Sequence, residues 1–438
     1  MNISELNLES GFKLSYIKSD NFRKLTPEVS KKEFDQFRFA VRLNALSMIK
    51  AAGSGHVGSS FSATDLFLGV KLFLFNESNG QDLSNNILFS SKGHDAPGQY
   101  SILHAFGLLP DSSLFTLRTL NGLPGHPEIG VPSIKTNTGS LGMGISKAKG
   151  MCIAKKLVND NSKVVVILGD GELQEGQIWE SMPGAAFQNL DNLVVIVDGN
   201  KIQSDSWVEK TLPIGNLKSR VESYGWEYFE IDGHSFKDLS NLPKMHISNC
   251  KPKFIYANTV KGSGVSFMEK FSEGGLFYKF HSGSPSDDDY SLAKEELILK
   301  IKNLSHEPLV KELGNRAISD DLLPKDRTGT FIESWSSLLI SEFKNNKKLF
   351  ALDADLAYDT GTHVIRELFP DRYLECGIAE QDMVSMAGGL SISGYVPIVH
   401  SFASFLINRS AEQIFNNYTE GTNIIYVGFL AGILPSAP

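Results

Sequence analysis

Two unbroken apolar runs, separated by about the length of one helix, restrict the fold of this chain more than any other feature. The runs are "KVVVILG" (163–169) and "NLVVIVDG" (192–199), and the helix-like segment "ELQEGQIWESMPGAAFQ" lies between them. A strand that is apolar along its whole length is buried on both faces, as in a parallel sheet covered by helices. The pattern therefore predicts a βαβ unit of an open, doubly wound α/β domain.

Polar residues follow both runs, at the point where each predicted strand ends. Asp170 stands between two glycines after the first run, and Asn200 and Ile202 follow the second. The carboxyl ends of neighbouring parallel strands meet at one edge of the sheet, where ligands bind. A carboxylate, an amide and the backbone carbonyl of Ile202 are oxygen donors suited to Mg²⁺ or Ca²⁺, with diphosphate oxygens and water completing the shell. We predict a metal site here; a simple helix cap by Asp170 is the alternative.

A second α/β pattern begins after a charged stretch that follows residue 285. The segments "FIESWSSLLISEF", "LFALDADL" and "PIVHSF" again alternate a helical period with short apolar runs. Length and pattern together predict two doubly wound parallel-sheet domains, the second of them incomplete. The predicted organisation is an N-terminal arm over 1–30, a first domain over 31–285, a linker over 286–328 and a second domain over 329–438.

Charge and cysteine content exclude several classes of partner. The formal net charge of −8 leaves no basic surplus to neutralise the phosphates of a nucleic acid or of an anionic membrane. Cys152, Cys250 and Cys376 are far apart, which suits free thiols in a reducing compartment. We see no secretory signal and no apolar run long enough to cross a bilayer. These observations predict a cytoplasmic protein with no nucleic-acid or membrane partner.

Three glycine-histidine motifs fall in the first predicted domain. They are "GSGHVGSS", "SSKGHDAPG" and "LPGHPEIG", which supply His56, His94 and His126. A single motif of this kind is more often a turn than a site, but three in the loops of one parallel sheet favour a group of imidazoles that hydrogen-bonds a ligand and moves protons near neutral pH. His281, in "FHSG", is a fourth candidate. Four further histidines match no motif and are interpreted as structural: His104, His234, His363 and His400.

These motifs occur in the order found in the transketolase family, which the chain resembles from about residue 35 to its end. The resemblance implies thiamin diphosphate with Mg²⁺ (or Ca²⁺) as cofactors, bound by a diphosphate- and metal-binding first domain. "TNTGSLGMGIS" resembles the glycine-rich turn that lies against the cofactor. The residues of the first domain that the resemblance places at cofactor or metal are His94, Gly139, Leu141, Gly169, Asp170, Gly171, Asn200 and Ile202.

The second domain resembles the pyrimidine-binding domain of the same family. "ALDADL", "ECGIAEQDMV" and "HSFASF" place Asp355, Glu380 and the pair Phe402 and Phe405 at the cofactor. The resemblance implies that Glu380 hydrogen-bonds the aminopyrimidine and so favours removal of the thiazolium proton; an ordinary carboxylate at a helix start is the alternative. One of the phenylalanines would stack on the pyrimidine. Glu175 would meet the partner subunit beside the cofactor.

The activity implied by the resemblance is transfer of a two-carbon ketol unit from a ketose to an aldose, through a thiamin diphosphate carbanion or enamine. Glu380, His56, His126 and His281 are its predicted catalytic residues. Family members place the site across a dimer interface, so a homodimer acting on sugars or sugar phosphates is expected. A 1-deoxyxylulose-5-phosphate synthase-like or 2-oxo-acid dehydrogenase activity remains an alternative, although "LPGHPE" favours transketolase.

The sequence departs from the family pattern in two places. The chain ends at Pro438, where the family continues with a Gly-Pro-Ser/Thr-His segment and a third domain. Two alternatives follow: a partner that is a separately encoded C-terminal chain, or a truncated, non-catalytic paralogue. In addition, Gly329 stands where the family commonly has a phosphate-binding arginine, with Arg327 nearby as a substitute. A phosphorylated substrate is therefore less secure than in an ordinary transketolase.

Overall fold

A computed structural model describes residues 2–8, 12–22, 25–76, 85–204, 206–245, 250–271, 278–304, 311–315 and 330–431. The chain divides into two compact units. The first comprises Met1–Leu173, Gln177–Lys201 and Asn216–Pro324, and the second comprises Gln174–Gly176, Ile202–Gly215 and Lys325–Pro438. Both are built on parallel sheets with helices, as predicted.

The strands form three sheets. A five-stranded sheet has the order β3-β4-β5-β7-β6 and a four-stranded sheet the order β10-β9-β11-β12, and both are parallel throughout. A small third sheet has the order β2-β1-β8. The strands are β1 Ile3–Asn7, β2 Lys13–Tyr16, β3 Ile87–Ser90, β4 Val164–Gly169, β5 Leu193–Gly199, β6 Glu227–Asp232, β7 Lys253–Asn258, β8 Lys311–Asn315, β9 Leu349–Asp353, β10 Tyr373–Glu375, β11 Val396–Phe402 and β12 Ile425–Phe429.

The helices cover the faces of the two larger sheets or connect their strands. They are α1 Lys31–Ala52, α2 Val57–Gly69, α3 Ala96–Ala105, α4 Gly144–Leu157, α5 Gly176–Phe187, α6 Val208–Thr211, α7 Leu217–Ser223, α8 Phe236–Ser240, α9 Leu242–Met245, α10 Asp287–Asn303, α11 Thr330–Asn345, α12 Ala357–Thr360, α13 His363–Leu368, α14 Glu380–Ile392, α15 Ala403–Arg409 and α16 Ala411–Thr419.

The predicted βαβ unit forms β4, α5 and β5, and every residue of the two strands is buried. In the register of the pair, Gly169 of β4 lies opposite Asp198 of β5. Both strands therefore end at the same edge of the first unit's sheet. This register places the residues that follow them, Asp170 and Asn200, side by side at that edge.

The N-terminal arm predicted over 1–30 contains two strands that are packed against the first unit. Strands β1 and β2 pair antiparallel, and Ile3 and Leu14 are buried. The backbone amide of Ile17 donates to Asn44 Oδ1 on α1 at 2.8 Å, and that of Ser15 donates to the hydroxyl of Tyr290 on α10 at 2.9 Å. The partners that hold the arm, Asn44 and Tyr290, are distant from it in the chain and leave no periodic signal in the arm itself. The sequence therefore did not reveal the strands.

The predicted linker over 286–328 also differs from the structure. Its first part is helix α10, which begins where Ser286 accepts a hydrogen bond from the backbone amide of Asp289, and three aspartates occupy the first turn. Apolar side chains at helical spacing are buried along one face, and they are Tyr290, Ala293, Leu297 and Ile301. The charged composition of the segment concealed this face. The predicted substitution site at Gly329 and Arg327 lies outside the described residues.

One helical stretch, Val57–Leu74, is long and apolar enough to cross a membrane by length and composition, which the sequence analysis did not anticipate. In the structure 94% of that stretch is buried inside the protein. Burial of this kind is what the core helix of an α/β unit has, because the helix packs its apolar residues against the sheet and neighbouring helices.

The second unit has its own apolar core on both faces of the parallel sheet. One cluster includes Phe343, Ala351 and Ile365, and the other includes Leu352, Met383 and Val399. Because β9 contributes adjacent residues to opposite clusters, its side chains alternate between the two faces, as a strand buried on both sides requires. The carboxyl edge of this sheet carries Asp353 and Glu375 at the ends of β9 and β10.

Candidate active site

Asp170 and Asn200 meet at the carboxyl edge of the first unit's sheet, as predicted from the two apolar runs. Asp170 is buried, and its carboxylate accepts hydrogen bonds from the backbone amides of Lys201 and, at 2.9 Å, Gly171. The amide nitrogen of Asn200 donates to Asp198 Oδ2 at 3.3 Å. The amide oxygen is then the atom of Asn200 suited to a cation. Ile202 is buried and belongs to the second unit, so its part in a metal shell stays a prediction.

The charge state of Asp170 reflects its surroundings. Burial raises the pKa of Asp170 to about 7, and the neighbouring charge of Asp198 acts in the same direction, whereas Lys261 and two backbone amides oppose it. A divalent cation beside the carboxylate would favour its ionised form. No three His, Cys, Asp or Glu side chains among the described residues are grouped as a metal site, so any cation here needs amide, carbonyl or ligand oxygens as well.

A buried lysine lies beside Asp198. Lys92 Nζ is 2.5 Å from Asp198 Oδ2 and 3.6 Å from Asp95 Oδ2, and all three side chains are almost completely inaccessible. The pKa of Asp198 is lowered because the charge of Lys92 and hydrogen bonds from Lys92, Ser62 and Thr259 outweigh the burial that opposes them. Lys92 thus keeps a negative charge on the strand that presents Asn200.

The four predicted histidines come together in the first unit. The ring centroid of His56 lies 5.3 Å from that of His94, 6.1 Å from that of His126 and 5.5 Å from that of His281. The centroids of His94 and His281 are 5.7 Å apart. Loops that are far apart in the sequence therefore converge on one group of imidazoles, which we call the histidine cluster.

All four imidazoles are neutral near pH 7. Burial lowers the pKa of His126 to about 4, with a further contribution from the charge of Arg118. Burial is also the main cause that lowers the pKa of His56, His94 and His281 well below the ordinary value, and Lys261 contributes for the last two. Neutral imidazoles each offer one donor and one acceptor, which is what recognition of sugar hydroxyls needs.

Three ring nitrogens define the hydrogen-bonding capacity of the cluster. His94 Nδ1 lies 3.1 Å from the carbonyl oxygen of Lys92, so Nδ1–H donates there and Nε2 is the acceptor. Lys261 Nζ donates to His281 Nδ1 over 2.8 Å. His56 Nδ1 is buried and has no hydrogen-bond partner among the described residues. A buried polar atom without a partner costs stability, so the Nδ1 of His56 points to a ligand as its missing partner.

The glycine-rich turn lies beside the cluster. Gly139 has φ of +128°, and a Cβ at that position would be 2.9 Å from Cδ2 of His126. A side chain there is excluded by both the backbone conformation and the imidazole. The backbone amide of Gly142 donates to Glu172 Oε1 at 2.8 Å, which ties the turn that contains Leu141 to the loop after β4.

Glu380 begins α14 in the second unit, as predicted, and is buried. Arg409 Nη1 lies 3.2 Å from Glu380 Oε2 and also contacts Glu175 Oε1. One guanidinium therefore contacts both carboxylates within this chain, whereas the prediction that Glu175 meets a partner subunit stays a prediction. The sequence analysis did not identify Arg409.

The other predicted residues of the second unit lie at the carboxyl edge of its sheet. Asp355 has φ of +62°, accepts from the backbone amide of Ser204 at 2.8 Å, and donates from its own amide to Glu375 Oε1 at 2.8 Å. An aspartate in the left-handed region is uncommon and marks a constrained position. Phe402 and Phe405 are half-buried, with ring centroids 5.9 Å apart.

The histidines interpreted as structural have other neighbours. His104 Nε2 is 2.8 Å from Asp111 Oδ1, and His234 Nδ1 is 2.8 Å from Asp65 Oδ2. His363 stacks on Tyr358 with centroids 4.8 Å apart. Burial lowers the pKa of His400 to about 4. The cysteines divide by exposure: Cys152 and Cys376 are buried, and Cys250 is exposed.

Comparison with known proteins defines the class to which this fold and site belong. Residues 35–296 match the model of the transketolase thiamine diphosphate-binding domain, and residues 330–436 match that of the transketolase pyrimidine-binding domain. The chain therefore belongs to the transketolase family. The computed structure has the fold of a transketolase from Leishmania mexicana, with a TM-score of 0.52 and 20% identity over 90% of this chain and 68% of that one.

Two curated relatives differ in which part of the chain they match. A transketolase of Pongo abelii is 31% identical over 404 residues, covering 90% of this chain and 64% of the relative. A protein from Actinobacillus succinogenes, named as one of the subunits of apulose-4-phosphate transketolase, is 35% identical over 275 residues, covering 62% of this chain and 96% of that protein. The chain thus spans about 64% of the length of the first curated relatives that it matches.

The side chains of the first unit fit thiamin diphosphate with a divalent cation. Buried Asp170, with its raised pKa, lacks a full compensating charge, which a cation would supply. The unpartnered Nδ1 of His56 needs a polar ligand. Asp170 and Asn200 would hold the cation, and Gly169 and Gly171 allow the diphosphate close to the main chain.

Proposed function

We propose that this chain is a thiamin diphosphate-dependent transketolase that transfers a two-carbon ketol unit from a ketose to an aldose. The observation that supports this proposal most strongly is the histidine cluster. Lys92 and Lys261 both lower the pKa of His94 and of His281. Lys261 also acts on the pKa of Asp170. The imidazoles and the carboxylate of the metal edge therefore have a charged neighbour in common. A sugar bound next to thiamin diphosphate matches this arrangement, with the sugar hydroxyls at the imidazoles and the diphosphate of the cofactor at the metal edge.

Each group of side chains has a proposed task. Asp170 and Asn200 bind Mg²⁺, with the carbonyl of Ile202 as a further ligand. When bound, thiamin diphosphate would supply a nucleophilic thiazolium carbon for the transfer. Glu380 would hydrogen-bond the aminopyrimidine through its carboxyl group, and Phe402 or Phe405 would cover the ring.

The histidine cluster binds and orients the sugar. Neutral His94 offers Nε2 as an acceptor for a hydroxyl proton, and His56 offers its unpartnered Nδ1. His126 and His281 complete the set of donors and acceptors around the hydroxyls. Because the imidazoles are neutral near pH 7, they can accept protons as well as donate them, which general acid–base transfer at a sugar hydroxyl requires.

The partners are also proposed. One relative is named as a single subunit of its transketolase, which supports the idea that this activity can be divided between chains. We therefore propose that this chain works with a separately encoded chain, within a homodimer or larger assembly in the cytoplasm. A non-catalytic paralogue that binds the cofactor without turnover is the alternative that the assay below distinguishes.

A donor assay tests the activity. The chain, alone and with the product of a neighbouring gene that encodes the remaining transketolase segment, is given a ketose and an aldose acceptor, or pyruvate and an aldose acceptor. Transfer of glycolaldehyde units is expected. Consumption of pyruvate instead would support a 1-deoxyxylulose-5-phosphate synthase-like enzyme, and cofactor binding without either reaction would support the non-catalytic candidate.

Glu380→Ala tests the activating role of this carboxyl group. The variant should bind thiamin diphosphate yet exchange the thiazolium proton with deuterium about 10²- to 10⁴-fold more slowly, the usual contribution of a positioned acid or base. Glu412→Ala is the matched control, because it removes an exposed carboxylate from the first turn of α16. Equal exchange rates in Glu380→Ala and the control would remove Glu380 from this role.

A further inference from the structure

A buried carboxylate connects the two loops that carry the predicted cofactor residues of the first unit. Glu172 is 2% exposed. Its Oε1 accepts from the backbone amide of Gly142 at 2.8 Å, and its Oε2 accepts from that of Gly169 at 3.1 Å. One side chain therefore fixes the end of β4 against the glycine-rich turn, two segments that are not adjacent in the sequence.

Ser91 extends the connection to a third segment. Its hydroxyl donates to Glu172 Oε1 and accepts from the backbone amide of Gly144, the first residue of α4, at 3.0 Å. Its own amide donates to the carbonyl of Ile167 in β4 at 2.7 Å. A Cβ on Gly144 would lie 2.3 Å from the Ser91 hydroxyl oxygen, so the start of α4 and Ser91 pack without space between them.

The connected segments are those on which the proposed cofactor site depends. Gly139 and Leu141 lie in the glycine-rich turn, which is bonded to Glu172 through the amide of Gly142. Asp170 directly follows Gly169, the other glycine whose amide donates to Glu172. Glu172 itself is buried, and both of its carboxylate oxygens are occupied by backbone amides of these loops. Hydrogen bonds to a charged group are the stronger ones, and a site works only when its loops are held in place before the ligand arrives.

We propose that Glu172, together with Ser91, is a positioning residue that holds the glycine-rich turn and the Gly-Asp-Gly turn at the separation thiamin diphosphate requires. The inference rests on the proposed function, since it takes that cofactor as the ligand. Glu172 acts through the two turns and does not touch the cofactor. Loss of this connection lets the turns move independently, and the cofactor must then order them when it binds.

Glu172→Gln tests the proposal with little change in shape. A glutamine has one acceptor oxygen, so its NH₂ group faces a backbone N–H at Gly142 or Gly169, or the Ser91 hydroxyl. We expect the Kd for thiamin diphosphate at saturating Mg²⁺ to rise about 10- to 100-fold, the usual effect of losing one hydrogen bond to a charged group. Glu180→Gln makes the same substitution at an exposed position of α5 and should leave the Kd unchanged.

Ser91→Ala gives an independent measure. It removes one member of the network and should raise the Kd about 3- to 10-fold, whereas Ser112→Ala, at an exposed serine, should not. The double variant Ser91→Ala/Glu172→Gln should lose less than the product of the two single effects, because both residues act through one network. Multiplicative effects, or an unchanged Kd in Glu172→Gln, would overturn the proposal. If Glu172→Gln does not fold, an unchanged Kd in Ser91→Ala overturns it instead.

Hydrogen exchange of the cofactor-free chain separates this inference from the proposed function. Amides in the segments 139–144 and 169–171 should exchange faster in Glu172→Gln than in wild type, with those of α11 unaffected as a reference. Unchanged exchange in both segments would contradict the connection itself. If wild type does not bind thiamin diphosphate, the proposed function fails at that step, and this measurement still decides whether Glu172 holds the two turns.

Discussion

The carboxyl edges of the two sheets both bury carboxylates, but they stabilise them differently. In the first unit, Lys92 forms an ion pair with Asp198 and holds the pKa of that carboxyl below its ordinary value. In the second unit, Asp353 accepts from hydroxyls and a backbone amide, and Glu375 from backbone amides and a tyrosine hydroxyl. Burial raises the pKa of Asp353 to about 6 and that of Glu375 to about 8, and the charges of Asp353 and Asp355 add to the effect on Glu375.

The difference indicates what each edge is built for. A buried carboxylate with a lysine partner keeps its negative charge, which suits the edge predicted to hold a cation. Buried carboxylates without such a partner retain protons near neutral pH, as the raised pKa values of Asp353 and Glu375 indicate. Asp170 at the first edge also has a raised pKa, so the contrast lies between Asp198, which has a lysine partner, and the carboxylates that have none.

Removing the lysine should produce the largest effect and would break the first half of this comparison. Lys92→Met leaves Asp198 and Asp95 buried without their cation, and we expect the free energy of unfolding of the cofactor-free chain to fall by about 3–5 kcal/mol. Urea-induced unfolding followed by circular dichroism measures this.

Two further variants serve as controls for that measurement. Lys279→Met breaks the exposed ion pair with Asp289 and should cost less than about 1 kcal/mol. Lys92→Met/Asp198→Asn removes both charges of the buried pair and should recover part of the loss. Equal effects of Lys92→Met and Lys279→Met would show that the buried lysine does not stabilise the first edge.

A pH series sharpens the second half of the comparison. Because the pKa of Glu375 is raised to about 8 in the folded chain, the folded state keeps a proton that the unfolded state releases above its ordinary pKa. Stability should therefore fall as the pH rises, by up to about 3 kcal/mol between pH 6 and pH 8, and level off above pH 8. Glu375→Gln cannot release this proton, so its stability should change less over the same range.

Glu367→Gln, at an exposed position of α13, is the matched control and should keep the wild-type slope. The measurement is the urea midpoint of each cofactor-free protein at successive pH values. A Glu375→Gln slope equal to that of wild type would mean that Glu375 is ionised at neutral pH, and the two edges would then be alike.

Thiol reactivity gives the smallest and most local comparison of the units. Exposed Cys250 should be alkylated first, and buried Cys152 and Cys376 at least about 10-fold more slowly, since each must wait for local opening and burial raises the pKa of both thiols. In urea at pH 8, Cys376 should become reactive at a lower concentration than Cys152, because the ionised carboxylates destabilise its unit. Peptide mass spectrometry follows each cysteine. If Cys152 became reactive at a lower urea concentration than Cys376, the second unit would not be the one destabilised at pH 8.

The sequence carried enough information to predict the metal edge and the histidine cluster. The runs that became β4 and β5 are apolar throughout, and Asp170 and Asn200 follow them directly, so strand register alone brings them together. His56, His94 and His126 were found because each lies in a glycine-histidine motif, and His281 because "FHSG" follows these motifs in the order of the family. Their roles at cofactor and substrate stay predictions.

Residues that act through distant pairing could not be found in the same way. Lys92 and Asp198 are 106 positions apart, and neither has a neighbour in the sequence that reveals the ion pair. Arg409 contacts Glu175 across 234 positions. Strands β1 and β8 pair across the whole first unit. Such contacts follow from the packed fold, because charge compensation and sheet pairing are decided in three dimensions.

The central claim is that Asp170 and Asn200 bind a divalent cation that holds the diphosphate of thiamin diphosphate. Calorimetric titration of wild type, Asp170→Ala and the exposed control Asp288→Ala with thiamin diphosphate, in Mg²⁺ and in chelator, tests it most directly. Wild type and the control should bind only with Mg²⁺, and Asp170→Ala should not bind under either condition. Equal affinity of Asp170→Ala and wild type, or binding by wild type in chelator, would contradict the claim.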